Sequence, residues 1–125
     1  MMMSILAALG LGMGSCAQDE NITSVNASQF ETAIKADSVQ LIDVRTSEEY
    51  AEGHIAYAVN INVQQSDFAD KAAESLDNTK PAYVYCRSGR RSMRAAKMLA
   101  KQGFNVVNLK GGIMEWVNEG KPVNK

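Results

Sequence analysis

The feature that most constrains the fold is an alternation of short apolar stretches with helix-like stretches, which runs from Asn21 to the end of the chain. Residues 39–44 and 82–85 are apolar runs that predict buried strands. Residues 47–51 and 67–76, which lie between them, are compatible with helices. Strands and helices in this order are typical of an α/β domain with a mainly parallel sheet.

The remaining segments extend the same pattern. Residues 22–25, 58–63 and 104–109 predict three further strands, so that five strands are expected in all. Ser28 and Ser47 are predicted as N-caps of the first two helices. Two more helices are predicted at residues 92–102 and 113–118, and the second contains the only tryptophan, Trp116. Because all the connections are short, we expect residues 21–125 to form one domain.

Composition sets the class of protein. A chain of 125 residues can bury a hydrophobic core without a metal or a disulfide as a staple. Hydrophobic residues make up 46% of it and charged residues 22%, and the formal net charge is −1. These values are typical of a globular protein, and they do not indicate a disordered chain or a nucleic-acid partner.

The N-terminal residues have a different character. Residues 5–13 form an apolar run that is too short for a permanent membrane helix but has the length of a signal-peptide core. Gly14 and Ser15 precede Cys16, and polar residues follow it, which resembles the lipobox of bacterial lipoproteins. The resemblance implies that residues 1–20 are a signal segment and a short tail. It also implies export to the periplasm and membrane attachment through a lipidated Cys16.

Two departures keep an alternative open for this segment. Neither Lys nor Arg precedes the apolar run, and Met13 stands where a lipobox usually has leucine. The alternative is an N-terminal tail with an incidental cysteine, in which case the protein is cytoplasmic.

Cys86 stands where a predicted strand ends and a glycine-containing loop leads into a helix. In open parallel sheets this edge is where ligands bind. Gly89 permits a positive φ, so the loop amides can converge on one point. The helix N-terminus, together with Arg87, Arg90 and Arg91, favours the thiolate form of the cysteine. The alternative is that Cys86 is a small buried residue that ends a core strand, with the basic residues on a solvated helix face.

Three segments resemble one known family. Residues 83–92, Tyr-Val-Tyr-Cys-Arg-Ser-Gly-Arg-Arg-Ser, resemble the active-site strand and loop of rhodanese. Residues 41–55 resemble the family's Asp-Val-Arg segment with its following Glu and Gly-His-Ile, and residues 103–116 resemble its last strand, Gly-Gly turn and helix. One departure is Ala56-Tyr57, where the family commonly has Pro-Gly.

The resemblance implies a rhodanese-like three-layer fold, in which a mainly parallel five-stranded sheet is flanked by helices. It also implies a thiosulfate sulfurtransferase that needs no cofactor or metal. Cys86 would be the catalytic residue that carries the sulfur as a persulfide. The loop residues implied to bind the persulfide or the substrate are Arg87, Ser88, Gly89, Arg90 and Arg91.

The resemblance also implies supporting residues and partners. Arg91 would steady the loop or the departing anion. Asp43 and Arg45 would shape the site from the neighbouring strand end, with Arg45 paired to Glu49. The donor would be a small sulfur anion such as thiosulfate, and the acceptor could be cyanide, a small thiol or a protein thiol. His54 is interpreted as a hydrogen-bonded turn residue.

Two other functions compete with this one. A cysteine phosphatase or arsenate reductase needs five residues between its cysteine and its arginine, whereas Arg91 comes one place too early for that spacing. A non-catalytic rhodanese-like module, or a sulfur relay to a partner protein, is the other alternative. Binding modules typically lose the loop cysteine, and Cys86 is present here.

Overall fold

The computed structural model describes residues 21–36 and 39–125. The predicted signal segment and the predicted lipidation at Cys16 lie outside these residues. Within the described ranges, no helix is both long enough and apolar enough to cross a membrane.

Five strands form one sheet, as the sequence predicted. The strands are β1 Ile22–Val25, β2 Gln40–Asp43, β3 Val59–Asn60, β4 Ala82–Tyr85 and β5 Val106–Leu109. Their order across the sheet is β1-β5-β4-β2-β3, and every pairing is parallel. β4 is therefore the central strand, and its carboxyl end lies between those of β2 and β5.

Helices cover both faces of this sheet. They are α1 Ala27–Ala36, α2 Ser47–Glu52, α3 Phe68–Ser75, α4 Arg90–Lys101 and α5 Gly112–Asn118. Because side chains alternate along a strand, β4 contributes to two separate cores. Val84 packs with residues of α3 and α4, whereas Tyr85 packs with residues of α1 and α5. The α/β three-layer arrangement is thus confirmed.

The two predicted N-caps are wrong, because both helices begin earlier than predicted. Asn26 Oδ1 accepts a hydrogen bond from the N–H of Gln29 at 2.8 Å, and the Gln29 side chain accepts one from the N–H of Asn26 at 3.0 Å. Thr46 and Glu49 form the same reciprocal capping box at the start of α2. Ser28 and Ser47 therefore lie inside their helices. At each helix start, the free backbone N–H groups are satisfied by a pair of residues three positions apart, and the first residue of that pair precedes the serine.

Candidate functional site

Cys86 is the first residue after β4, and its side chain is only 1% exposed. It packs in the same core cluster as Val84 and Ala95 of α4. The buried-residue interpretation is therefore right about its packing. α4 begins at Arg90, two residues earlier than predicted, so the turn from Cys86 to the helix is very short.

The atoms around the Cys86 sulfur are hydrogen-bond donors. The backbone N–H of Gly89, whose φ is 98°, donates to Sγ at 3.1 Å. Burial raises the pKa of the Cys86 thiol. The Ser92 hydroxyl and the N–H groups of Ser92, Gly89 and Ser88 lower it by more, so the net pKa is below the ordinary value. The loop therefore favours the thiolate, which is the nucleophilic form of cysteine.

The three arginines of the loop differ in their exposure and in their ion pairs. Arg91 makes a bidentate ion pair with Glu49, with N–O distances of 2.8 and 2.9 Å. Arg87 and Arg90 are exposed, and neither has an ion-pair partner within the part of the chain that the structure describes. The main causes that lower the Cys86 pKa are hydrogen bonds.

The Glu49–Arg91 pair ties α2 to the start of α4. The Arg91 hydrogen bond lowers the pKa of Glu49 to about 2 despite partial burial. The same hydrogen bond raises the pKa of Arg91, and the nearby Cys86 contributes a smaller part of that rise. The geometry therefore supports the first of the two predicted roles of Arg91, steadying the loop.

The predicted pairing of Arg45 with Glu49 is wrong. Arg45 is buried and donates to both carboxylate oxygens of buried Asp43, with distances of 2.9 Å to Oδ1 and 2.7 Å to Oδ2. It also donates to the carbonyl of Gly53 at 2.6 Å. Asp43 and Arg45 are two residues apart at the end of β2, so their side chains lie on one side, while Glu49 is turned toward Arg91. The pair therefore orders the end of β2, which lies beside the end of β4.

The Gly-Gly turn holds the Cys86 loop from the other side. The N–H of Ile113 donates to the carbonyl of Cys86 at 2.9 Å, and the N–H of Met114 donates to that of Arg87 at 3.1 Å. Gly112 has a φ of 66°, and a Cβ there would collide with the backbone of Arg87. The loop and the start of α5 can approach this closely only because Gly112 has no side chain.

Sequence reasoning missed two residues of this site. Ser92 was assigned to a helix, but its hydroxyl donates to the carbonyl of Gly89 at 3.2 Å and its proximity lowers the pKa of Cys86. Gly112 was assigned only to a turn. His54 stacks on Tyr50 with ring centroids 3.8 Å apart, and its Nδ1 lies 3.0 Å from the Tyr50 carbonyl, as suits a turn residue.

The described residues contain no cluster of three or more His, Cys, Asp or Glu side chains that could hold a metal ion. The arrangement around Cys86 can instead hold a negatively charged sulfur and present it to an electrophile.

Comparisons with known proteins identify the family. The family model described as a Rhodanese-like domain matches residues 26–119. The chain belongs to the rhodanese-like family. YtwF of Bacillus subtilis, provisionally named a sulfurtransferase, is 44% identical over 104 residues, which cover 82% of this chain and 98% of YtwF. Thiosulfate sulfurtransferase 18 of Arabidopsis thaliana is 30% identical over 124 residues, which cover 90% of each chain.

A solved structure agrees with the rhodanese-like fold. The crystal structure of a rhodanese-related protein from Thermoplasma volcanium superposes with a TM-score of 0.72 at 36% identity, and covers 82% of this chain and 97% of that one. The rhodanese-like fold predicted from the motifs is thereby confirmed. The family and the names of these relatives support sulfur transfer as the general class of chemistry.

Proposed function

We propose that the protein is a sulfurtransferase in which Cys86 accepts a sulfane sulfur from a small anionic donor such as thiosulfate and passes it to a thiophilic acceptor. One observation carries this proposal most directly. The Cys86 sulfur is enclosed by the core on one side, yet it accepts a hydrogen bond from a loop N–H and has a lowered pKa. A thiolate in this setting is a nucleophile with fixed donors around it.

In the first half-reaction, the Cys86 thiolate attacks the outer sulfur of thiosulfate. A new S–S bond forms, the bond between the outer and central sulfur atoms of thiosulfate breaks, and sulfite leaves with the electron pair. Cys86 then carries an anionic persulfide. The reaction needs no external oxidant or reductant, because the transferred sulfur has the same oxidation state in thiosulfate and in the persulfide.

In the second half-reaction, a nucleophilic acceptor attacks the terminal sulfur of the persulfide. The Cys86 S–S bond breaks, its electron pair returns to Cys86, and the thiolate is restored. Cyanide would leave as thiocyanate, and a thiol as its persulfide. The N–H groups of Ser88 and Gly89 are the donors that would stabilise the negative charge on sulfur in both steps.

The exposed arginines fit a negatively charged donor. Arg87 and Arg90 flank the loop and have no carboxylate partner within the described ranges. Two unpaired positive charges beside a nearly covered thiol would attract a dianion such as thiosulfate and orient it.

A steady-state assay tests the proposal. The full chain, supplied with thiosulfate and cyanide, should form thiocyanate, and Cys86→Ser should abolish that activity. Arg87→Gln should raise the KM for thiosulfate more than it lowers kcat, because Arg87 acts by attracting the anion. Full activity of Cys86→Ser would refute the mechanism.

We also propose that the protein is exported and attached to a membrane through a lipidated Cys16. The support is the apolar run at residues 5–13 and the small residues that precede Cys16. Labelled palmitate should enter the protein in its host and should not enter a Cys16→Ala variant. Equal labelling of the two would contradict the proposal.

A further inference from the structure

Helix α4 presents a row of basic side chains to solvent. Its exposed cations follow one another at spacings of four, three and four residues, and they are Arg90, Arg94, Lys97 and Lys101. Residues at these spacings lie on one face of a helix. These side chains therefore form a basic stripe about 16 Å long. The opposite face of α4, which includes Ala95 and Leu99, is packed in the core.

The cations of the basic stripe have no ion-pair partner in residues 21–36 and 39–125. Lysines on two other helices are paired. Lys35 of α1 pairs with Glu31, and Lys71 of α3 pairs with Asp67, in each case four residues earlier on the same helix. α4 contains no acidic residue with which such a pair could form.

The basic stripe lowers the stability of its own helix. Arg90 and Arg94 are like charges four residues apart, and so are Lys97 and Lys101, and like charges at this spacing repel each other. Arg90 also lies in the first turn, where a positive charge opposes the helix dipole. Glutamate at one of these positions would make the helix more stable and equally soluble. Solubility therefore does not account for the stripe, whereas pairing with a charged partner does.

The basic stripe begins beside the reacting sulfur. Gly89, whose N–H donates to Cys86 Sγ at 3.1 Å, directly precedes Arg90, and Cys86 packs in the core cluster that α4 covers. Arg94 lies one turn further along and donates to the carbonyl of Val63 at 3.2 Å, which holds it in place. A molecule bound along the stripe would therefore reach the Cys86 loop with one end.

An acidic protein segment fits the stripe better than a membrane or a nucleic acid does. Within the described residues, the large apolar side chains that are exposed all lie outside α4, so this helix has no apolar group to insert into a bilayer. α4 also has no aromatic side chain on which a base could stack, and the formal net charge of the chain is −1. A row of carboxylates needs only the complementary charges.

We propose that the basic stripe is a docking surface for an acidic segment of a partner protein, whose carboxylates pair with the four cations. The segment would lie along α4 with one end at the Cys86 loop, so that the rest of the partner approaches the reacting sulfur from the α4 side. This inference rests on the proposed function, because a partner needs to reach Cys86 only if the two exchange sulfur.

Two fluorescein-labelled peptides test the docking on the full chain by fluorescence anisotropy. One is acetyl-Glu-Ala-Ala-Ala-Glu-Ala-Ala-Glu-Ala-Ala-Ala-Glu-amide, whose glutamates repeat the spacing of the stripe, and the other has glutamine in place of every glutamate. At low salt the acidic peptide should bind at least about tenfold more tightly, because several exposed ion pairs each contribute a little. The ratio of the two affinities should fall as added salt screens the charges.

Two charge-reversal variants locate the effect. Lys97→Glu/Lys101→Glu should reduce the ratio of affinities to about one, because two attractions become repulsions. Lys35→Glu/Lys125→Glu is the matched control, since it changes the net charge by the same amount through exposed lysines outside α4. Lys35 lies on α1, which packs on the opposite face of the sheet from α4. This control should keep the wild-type ratio.

The kcat of thiocyanate formation shows whether the variants are folded, and it should be unchanged in Lys97→Glu/Lys101→Glu. Equal binding of both peptides by the wild type, or an unchanged ratio in that variant, would overturn the proposal. So would tighter binding of an RNA pentanucleotide, or of vesicles of phosphatidylcholine and phosphatidylglycerol, that the same variant loses. Failure of the proposed function would look different, since no thiocyanate would form while the acidic peptide still bound.

Discussion

At the scale of single residues, the reactivity of Cys86 depends on a few hydrogen bonds. Burial alone would raise the pKa of the thiol and make it inert. The Ser92 hydroxyl and the loop N–H groups reverse that effect. Ser92 also lies 3.2 Å from the carbonyl of Gly89, so it orders the same turn whose N–H reaches the sulfur.

Ser92→Ala should therefore raise the pKa of Cys86 and slow its reactions at neutral pH. The rate of alkylation by iodoacetamide, followed against pH in a Cys16→Ala background, measures this directly. The wild-type rate should rise with pH through a midpoint below that of an ordinary thiol, and Ser92→Ala should move the midpoint upward. Ser88→Ala is the control, because the contribution of Ser88 is its backbone N–H. Coincident profiles for Ser92→Ala and the wild type would contradict the assignment.

At the scale of elements, the loop is held between three neighbours. α4 begins at Arg90, and α2 is attached through the Glu49–Arg91 ion pair. The start of α5, after the β5–α5 turn, donates backbone hydrogen bonds to the loop. The neighbours contact the loop through the Arg91 side chain and through the carbonyls of Cys86 and Arg87. Its shape is therefore imposed by the elements around it, which leaves its N–H groups available for sulfur.

The approach of α5 predicts a difference between two glycines. Gly112→Ala should destabilise the protein by more than about 2 kcal/mol. The new Cβ would collide with the Arg87 backbone, and alanine at this position would also have an unfavourable φ. Gly120 has a φ of 78°, but no atom lies within 4 Å of the position of a Cβ. Gly120→Ala should therefore lower the free energy of unfolding only through the unfavourable φ, by about 1 kcal/mol. Urea unfolding of both variants measures the difference, and equal losses would show that the collision is relieved at no cost.

The ion pair between α2 and α4 predicts a loss of stability in acid. The pKa of Glu49 is lowered to about 2 in the folded protein, from 4.5. A depressed carboxyl pKa stabilises the fold above the unfolded value, and this contribution is lost as the pH falls from about 4.5 toward 2. Glu49→Gln should therefore lower the free energy of unfolding at pH 7 by on the order of 2 kcal/mol, and by much less at pH 3.

Glu48→Gln provides the control for that measurement, because Glu48 is an exposed neighbour on the same helix without a salt bridge within the described ranges. It should change the free energy of unfolding little at either pH. A Glu49→Gln effect that is equally large at pH 7 and pH 3 would mean that packing, and not charge, holds α2 to α4.

At the scale of the whole molecule, the sequence predicted the class of fold and the place of the site. Five strand-like segments predicted five strands, and the position of Cys86 after the fourth placed it at the carboxyl edge of the sheet, where it lies. Contacts between distant side chains were harder to predict. Glu49 is four residues from Arg45 but pairs with Arg91, because the choice depends on how α2 packs against α4.

Local competition explains the other differences. Asn26 and Thr46 cap their helices in place of the nearby serines, because each has a partner three residues on that returns the hydrogen bond. Tyr57 stands where the resemblance implied glycine, and its φ of 71° is one that residues with a side chain rarely adopt. The signal segment and Cys16 stay predictions.

The central claim is that Cys86 holds the transferred sulfur, and intact mass spectrometry of the full chain tests it most directly. Brief treatment with thiosulfate should add the mass of one sulfur, about 32 Da, and cyanide should remove it. The adduct should form in Cys16→Ala and be absent from Cys86→Ser. Persistence of the adduct in Cys86→Ser, or no adduct in the wild-type protein, would contradict the account and favour a non-catalytic binding module.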